Sequence, residues 1–436
     1  MSVVQCDASV RLNDDVLLMI FGCLGARDLS NCETVCRQWQ SVLSGTLWKR
    51  SFQNEMSSSL QWRLYCNKLK LDQRNIRTED YRDTCRKMAN YLNQLDDNWG
   101  SGRYITSTYP IDPSACNLRI NNDLIIYVGQ ASVEGSCTIH FVDKESMRLK
   151  QSVDLPMDKC CFVDLHKNMM IVKLFIIVIF IDVVNGQMIN VVPCSYGMRD
   201  CRFNGHLLAV CYSSNNRVSV WSVGDHRNNT LIKELTFQSE DISLEMDDRY
   251  IIVLERFEER SGETSSGDKV HVICPTTLEI KRSLDVGTSG VAYDRGLLLV
   301  FDRTGPIRTW DVESGTYLND LHIPPECRMY ASWIRGFRRV TMCSNSKYMI
   351  VNCWRLGDSK GIESTLLVFD LDAVKNRNSR VATSLHAIRL EGMTCRTMFV
   401  DETTITCHTS FYDQSSLNNE IKVFDFSPDN CGGRVE

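Results

Sequence analysis

The sequence predicts an α+β multidomain chain: a small all-α region, a helical linker, and then an all-β propeller of seven blades. Near the N-terminus, apolar residues recur at helical spacing. A second helical stripe lies within residues 53–100. From Cys116 onward the chain repeats in units of roughly 40 to 60 residues, each with several short strand-like segments. Such a repeat is typical of propeller blades.

The first helical region is unusually rich in apolar residues for its size. Val16, Ile20 and Leu24 follow one another at helical spacing, and further apolar residues between them widen the stripe. Asn13 is suited to cap this helix, and the two aspartates after it complement the positive end of the helix dipole. A unit of about forty residues buries little surface of its own. The excess therefore predicts a partner surface, the alternative being a small helical cap packed on its own domain.

Three segments in this region, residues 12–21, 35–39 and 47–50, together resemble an F-box in their order and residue types. The resemblance implies a substrate receptor of an SCF (Skp–cullin–F-box) ubiquitin ligase. One departure is Asn13, where many F-boxes carry proline; both residues start helices well, so we expect modest weakening of adaptor contact. By resemblance, the residues that bind the Skp-family adaptor are Leu12, Ile20, Leu24, Leu29, Val35, Cys36, Trp39, Leu47 and Trp48.

The linker between the two regions is predicted to be helical. Its apolar stripe, spaced alternately by four and three residues, consists of Tyr81, Cys85, Met88, Leu92 and Leu95. Such a helix is either a rigid spacer between the domains or a packing layer with no positional role. We expect the F-box at residues 10–52, the helical linker at 53–100 and a WD-repeat-like propeller at 101–436.

Seven strand-like segments mark the third strands of the predicted blades. They resemble WD repeats, although only Trp310-Asp311 shows the signature dipeptide. The seventh copy ends before a fourth strand, and residues 103–109 alternate like a strand without a blade. We expect this strand to close the ring and remove exposed edges; the alternative is a flexible linker. The predicted third strands end in residues 139–143, 179–182, 218–222, 270–273, 307–311, 366–370 and 421–425.

Composition narrows the classes of partner and compartment. The chain has 436 residues, a net charge of −5 and an isoelectric point near 6.0, which gives no electrostatic case for nucleic acid. Its 20 cysteines follow no signal-peptide-like segment, so we expect reduced thiols in the cytoplasm, the nucleus or both. The apolar run 169–181 is too short and too β-branched for a membrane helix, and predicts two strands instead.

Motifs of catalysis and metal binding are lacking in the sequence. It contains no glycine-rich phosphate loop, no G-x-S-x-G elbow, no kinase signature and no C-x-x-C pair. We therefore expect a non-catalytic adaptor without cofactor or metal.

The predicted function follows from the F-box resemblance. The chain is expected to be the substrate-recognition subunit of an SCF ligase, with the propeller binding the target; the alternative is a non-degradative interaction scaffold. Its expected partners are the Skp-family adaptor, a cullin-RING ligase through it, and a protein substrate, either phosphorylated or unmodified, with no nucleic acid or membrane. By resemblance to phosphodegron-reading F-box/WD-repeat receptors, Arg199, Arg303 and Arg396 lie at positions of the upper face where those receptors carry arginines. A neighbouring blade has the apolar Leu174 and Phe175 at the comparable turn, so the full arginine cluster is not reproduced. We therefore expect a mixed face, on which Arg199 and Arg303 meet an acidic or phosphorylated segment and Leu174 and Phe175 meet an apolar anchor; the alternative is that these are unrelated surface residues.

Overall fold

The computed structural model divides the chain into two compact units. The helical unit comprises Met1–Tyr104 with Phe426–Glu436, and the second unit comprises Ile105–Asp425. The structure describes residues 13–43, 45–59, 62–63, 66, 80–112, 115–121, 123–130, 136–155, 162–174, 176–195, 197–212, 216–224, 229–239, 241–257, 268–287, 289–302, 307–324, 341–356, 362–376, 381–413 and 416–431.

The helical unit holds six of the helices that the structure describes. They are α1 (Asp14–Phe21), α2 (Ala26–Glu33), α3 (Arg37–Val42), α4 (Gly45–Ser58), α5 (Asp80–Ser101) and, near the C-terminus, α7 (Pro428–Cys431). One short helix, α6 (Leu371–Lys375), belongs to the second unit.

Helix α5 forms one wall of the core of the helical unit. All five residues of its predicted stripe are buried, and Trp99 extends the buried face by one turn. The Cys85 thiol donates to the backbone oxygen of Trp48 on α4, and Phe52 on α4 packs edge to face on Tyr81 at 5.3 Å between ring centroids. Helix α5 is therefore part of the packed helical unit.

The second unit contains 29 strands in the described part of the chain, arranged as seven sheets. The strands of the seven sheets are β2 (Cys116–Ile120), β3 (Leu124–Gln130), β4 (Cys137–Asp143) and β5 (Leu149–Leu155); β6 (Phe162–His166), β7 (Met169–Lys173), β8 (Ile177–Asp182) and β9 (Met188–Pro193); β10 (Met198–Phe203), β11 (Leu207–Tyr212), β12 (Arg217–Val223) and β13 (Asn229–Thr236); β14 (Asp241–Met246), β15 (Ile251–Arg256), β16 (Asp268–Ile273) and β17 (Ile280–Gly287); β18 (Ser289–Asp294), β19 (Leu297–Asp302), β20 (Ile307–Asp311), β21 (Thr316–His322) and β25 (Val381–Thr383); β22 (Thr341–Ser344), β23 (Tyr348–Leu356), β24 (Ile362–Asp370) and β26 (His386–Leu390); β27 (Thr394–Val400), β28 (Thr404–Asp413), β29 (Ser416–Asp425) and β1 (Ile105–Ile111).

These sheets form a seven-bladed propeller, as the sequence predicts. Each predicted third strand lies within an observed one, and the apolar run 169–181 forms the hairpin of β7 and β8. In the seventh blade the fourth strand is β1, which overlaps the predicted closing segment and pairs antiparallel with β29 from Ile105 opposite Asp425 to Ile111 opposite Asn419. Within the described residues, no helix is both long and apolar enough to cross a membrane.

In four blades the third strand ends in an aspartate that stabilises the turn after it. A carboxylate at this position accepts a backbone N–H two or three residues later, at 2.8–3.0 Å, and so holds the turn that leads away from the third strand. The aspartates that do so are Asp143, Asp182, Asp311 and Asp370. The repeat therefore reflects turn chemistry as well as strand propensity.

Candidate functional site

Helix α1 presents an apolar surface although its inner face is already packed. Leu17 and Phe21 are buried, and Phe21 meets the Trp39 ring edge to face at 5.3 Å. Met19 and Ile20 remain 75% and 45% exposed, and Val16 lies on the same side one turn earlier. We call the surface formed by Val16, Met19 and Ile20 the α1 apolar surface. Three exposed apolar side chains on one helical face are typical of a protein-binding surface.

Polar contacts fix the position of this helix. The Asn13 side chain accepts the N–H of Asp15 at 3.1 Å, which caps α1 as predicted. The Gln38 amide on α3 donates to the Asp14 carboxylate at 2.9 Å. The α1 apolar surface is thus carried by a helix that is anchored at its N-terminal end.

The predicted adaptor-binding residues divide between surface and core. Ile20, Val35 and Cys36 are exposed, and Leu24, Trp39 and Leu47 are half-buried. Leu29 and Trp48 are fully buried in the helical unit, so the prediction of direct adaptor contact needs correction for both. Their side chains fill the core of the helical unit, where α2 packs against α4 and α5. Leu12 lies outside the described residues.

Two sets of ion pairs join α2 to α5. The Glu33 carboxylate, almost wholly buried, pairs with Arg82 at 2.5 Å and with Arg86 at 2.6 Å, one helical turn apart on α5. Nearer the other end of α5, Arg27 donates to Asp96 at 3.2 Å. The F-box-like helices and α5 therefore share charged contacts as well as a core.

On the propeller, the predicted apolar anchor is not a surface feature. Leu174 is 1% exposed and packs in the core between the first two blades, so it is not available as a surface anchor. Its backbone N–H donates to the oxygen of Ile177 at 2.9 Å, next to the end of β7. Phe175 and Arg303 lie outside the described residues.

Arg199 lies at an irregular position of an innermost strand. The pairing of β10 with β11 shifts register between Met198 and Asp200, so Arg199 lies at a bulge, a feature that redirects a side chain. Its guanidinium reaches Asp241, the first residue of the inner strand β14 in the next blade, at 2.6 Å. Arg256 approaches the same carboxylate at 3.4 Å.

Lys173 completes this cluster. Its ammonium donates to the backbone oxygen of Arg199 at 2.5 Å. The Asp241 carboxylate is therefore shared by the guanidinium groups of Arg199 and Arg256. The nearby Glu255 carboxylate is buried and accepts the N–H of Ser239 at 2.6 Å. We call the side chains of Lys173, Arg199, Asp241 and Arg256 the Arg199 cluster. It carries three positive charges and one negative charge, which suits an anionic ligand.

Arg396 occupies the matching position in the seventh blade. The pairing of β27 with β28 shifts between Cys395 and Thr397, and Arg396 donates to Ser410 Oγ at 2.7 Å. The third and seventh blades are not adjacent in the ring. The structure therefore does not bring Arg396 into the Arg199 cluster.

Three members of the Arg199 cluster were not found from the sequence. Asp241 begins the inner strand of the fourth blade, and Lys173 and Arg256 end the second strands of the second and fourth blades. Aligning the blades by strand position would have placed all three at the same end of the propeller as Arg199. Among the described residues, no group of histidine, cysteine, aspartate and glutamate side chains is arranged to hold a metal ion.

Comparison with known proteins bears on each region separately. Residues 14–54 match the family model described as F-box-like. No curated protein matches the chain in sequence.

Solved structures of low sequence identity are similar to this chain, and one of them has a TM-score above 0.5. The structure of U3-55K is 11% identical, has a TM-score of 0.53, and is aligned over 73% of this chain and 98% of its own. BamB from Moraxella catarrhalis aligns over 74% of this chain and 99% of its own at 11% identity, with a TM-score of 0.44. Hsv2p from Kluyveromyces lactis aligns over 71% and 98% at 14% identity, with a TM-score of 0.44. The chain thus consists of an F-box-like region followed by a seven-bladed β-propeller.

Proposed function

We propose that this protein is a substrate-recognition subunit of an SCF ubiquitin ligase. The observation that carries the proposal is the α1 apolar surface within the F-box-like residues 14–54. F-box regions generally bind a Skp-family adaptor, and exposed Val16, Met19 and Ile20 supply apolar contact area to such a partner. The protein contributes no catalytic step, because ubiquitin transfer takes place on other subunits of the ligase.

The propeller is the part proposed to select the target. The Arg199 cluster offers two guanidinium groups that share one carboxylate, so an incoming phosphate or acidic side chain competes with Asp241 for Arg199 and Arg256. An anionic segment of a protein substrate suits this cluster. The compartment proposed is the cytoplasm, the nucleus or both.

Adaptor binding is tested by charge placed on the α1 apolar surface. The double variant Met19→Asp, Ile20→Asp would bury unpaired carboxylates in the adaptor contact, so co-purification with the Skp adaptor should be lost. Leu231→Asp is a matched control, because Leu231 is as exposed as Ile20, at 45%, but lies on the propeller strand β13. Undiminished adaptor binding by the double variant would refute the assignment.

A non-degradative scaffold is the alternative function. Both functions include adaptor binding, so the abundance of captured proteins separates them. If the protein is a degradation receptor, inhibition of cullin activation should raise the level of its bound partners, and the double variant should have the same effect. If neither treatment changes the abundance of the bound partners, the protein is a non-degradative scaffold.

A further inference from the structure

A groove of about 460 Å³ lies in the propeller where β1 faces the first blade. This volume is within the usual range of small-ligand and side-chain sites. Its walls include Tyr109, Asp112, Tyr127, Val142, Met147 and Leu149. None of its wall residues belongs to the α1 apolar surface or to the Arg199 cluster.

The groove exists because the seventh and first blades are incompletely packed against each other. In the described residues, the core between these blades buries five apolar side chains, whereas Tyr109, Tyr127 and Met147 are only partly buried against it. Met147 also adopts a φ of 54°, in the left-handed region that is costly for a residue with a side chain. Leu278 has the same conformation, with a φ of 53°, between the third and fourth strands of the fourth blade, so this backbone shape belongs to the turn.

One end of the groove is acidic and aromatic. Asp112 and Tyr127 both line the groove, and burial and then the charge of Asp112 raise the pKa of the Tyr127 phenol. The Tyr127 ring also lies 4.9 Å from the ring of His140. Gly129 makes room for this imidazole, because a Cβ there would lie 2.8 Å from His140 Nε2; it would also lie 3.7 Å from Asp112 Oδ2. Two tyrosine rings and a carboxylate suit an organic cation.

The strand that forms one wall of the groove is an edge strand. In the described sheet of the seventh blade, β1 is the outermost strand and pairs with β29 alone. Pro110 on this strand, another wall residue, has no N–H to donate, so an extended peptide would pair with the outer edge only on either side of it. This geometry favours a peptide over a free small molecule.

We propose that this groove binds an extended peptide segment carrying a lysine. The aliphatic stem of the lysine packs on Val142, Met147 and Leu149, and its ammonium lies between the tyrosine rings and the Asp112 carboxylate. The segment belongs to a partner protein. Adaptor binding and the Arg199 cluster are not involved, so failure of this proposal leaves the proposed function intact.

The probe is an acetylated and amidated pentapeptide with a central lysine flanked by valines, titrated into the whole protein by calorimetry. We expect saturable binding, about tenfold weaker when the lysine is acetylated or when n-pentylamine replaces the peptide. Asp112→Asn should weaken binding of the lysine peptide about tenfold. Asp123→Asn, an exposed aspartate of the same blade outside the groove, should leave it unchanged.

Four outcomes would overturn the proposal. They are no saturable binding of the lysine peptide, equal binding of the acetylated peptide, equal binding of n-pentylamine, and an unchanged affinity in Asp112→Asn. Asp112 is exposed, so its variant is expected to fold, and an unaltered circular dichroism spectrum verifies this. Leu149→Ser, at a wall position that is 58% exposed, is a second variant. It should lower the affinity for the peptide without changing the protein's preference for lysine over acetyl-lysine.

Discussion

The Phe426 ring stacks face to face on Trp99, with 3.9 Å between ring centroids and 8° between ring planes. Both residues belong to the helical unit, although their positions in the chain differ by 327. The Asn98 amide also donates to the backbone oxygen of Phe426 at 2.9 Å, and both side chains at the stack are fully buried. The residues after the last propeller strand are therefore part of the core that surrounds the end of α5.

Removing this ring should destabilise the helical unit. Phe426→Ala deletes a buried aromatic side chain and its stack on Trp99, at an expected cost of about 3–5 kcal/mol. The helical signal in circular dichroism should then melt at a lower temperature. Leu231→Ala, at a half-exposed strand position, serves as the control and should shift the midpoint little. Equal midpoints for the two variants would contradict a structural role for the C-terminal segment.

The buried Glu33 carboxylate should matter more than the exposed pair between the same two helices. Glu33→Gln removes the charge that Arg82 and Arg86 share, and we expect a loss of about 1–3 kcal/mol in unfolding free energy. Asp96→Asn breaks the pair with Arg27, whose side chain is 43% exposed, and should cost less than about 1 kcal/mol. Denaturant unfolding monitored through the helical signal compares the two. If Asp96→Asn lost more unfolding free energy than Glu33→Gln, burial of the Glu33 carboxylate would not determine how much each ion pair contributes.

The propeller was predictable because its signals are local. Each third strand alternates over a few residues and ends in a turn, and in four blades an aspartate both marks and stabilises that turn. Register then follows from which face is buried. Strand β25, which pairs parallel to β21 of the fifth blade, was not predicted. It is only three residues long and joins a sheet other than that of its neighbours in sequence.

The candidate sites were less predictable because they depend on distant residues. In the structure Leu17 and Phe21 fill the core, whereas Met19 and Ile20 stay exposed. The sequence does not distinguish these two sets, because helix α1 is apolar on nearly every side. The partner of Arg199 is Asp241 in the next blade, and a bulge sets the direction of its side chain. Neither the Asp241 partner nor the bulge can be predicted from the residues around position 199.

Acid should weaken the propeller through Asp401. Burial alone would raise the pKa of Asp401, but the charge and hydrogen bond of Lys144, 2.5 Å away, together with bonds from Thr403 and Thr404, lower it. A folded-state pKa below the unfolded value near 4 means that the ionised group stabilises the fold above that pH. This stabilisation is lost as the pH falls through the lower pKa. Asp401→Asn should unfold more easily at pH 7 and lose less stability as the pH falls below about 4, as measured by urea midpoints.

His408 should act in a different pH window. Burial lowers its pKa to about 4, and its ring nitrogen Nε2 lies 3.2 Å from Asn419 Oδ1. The unfolded histidine takes up its proton near pH 6.5, so the fold loses stability as the pH falls from about 6.5 to 4. His408→Gln should lose less stability across this window than the native protein. An identical slope in both proteins would show that His408 does not titrate as a buried neutral group.

Exchanging the charge at Arg199 tests the Arg199 cluster. Arg199→Glu places a carboxylate next to Asp241, so the surface would repel an acidic or phosphorylated segment that the native cluster attracts. Capture of such segments should fall by about tenfold or more, with the adaptor still bound. Arg249→Glu is the control, since Arg249 is exposed in the turn at the other end of the fourth blade. If both variants capture the same proteins to the same extent, the Arg199 cluster is not where the propeller selects its target.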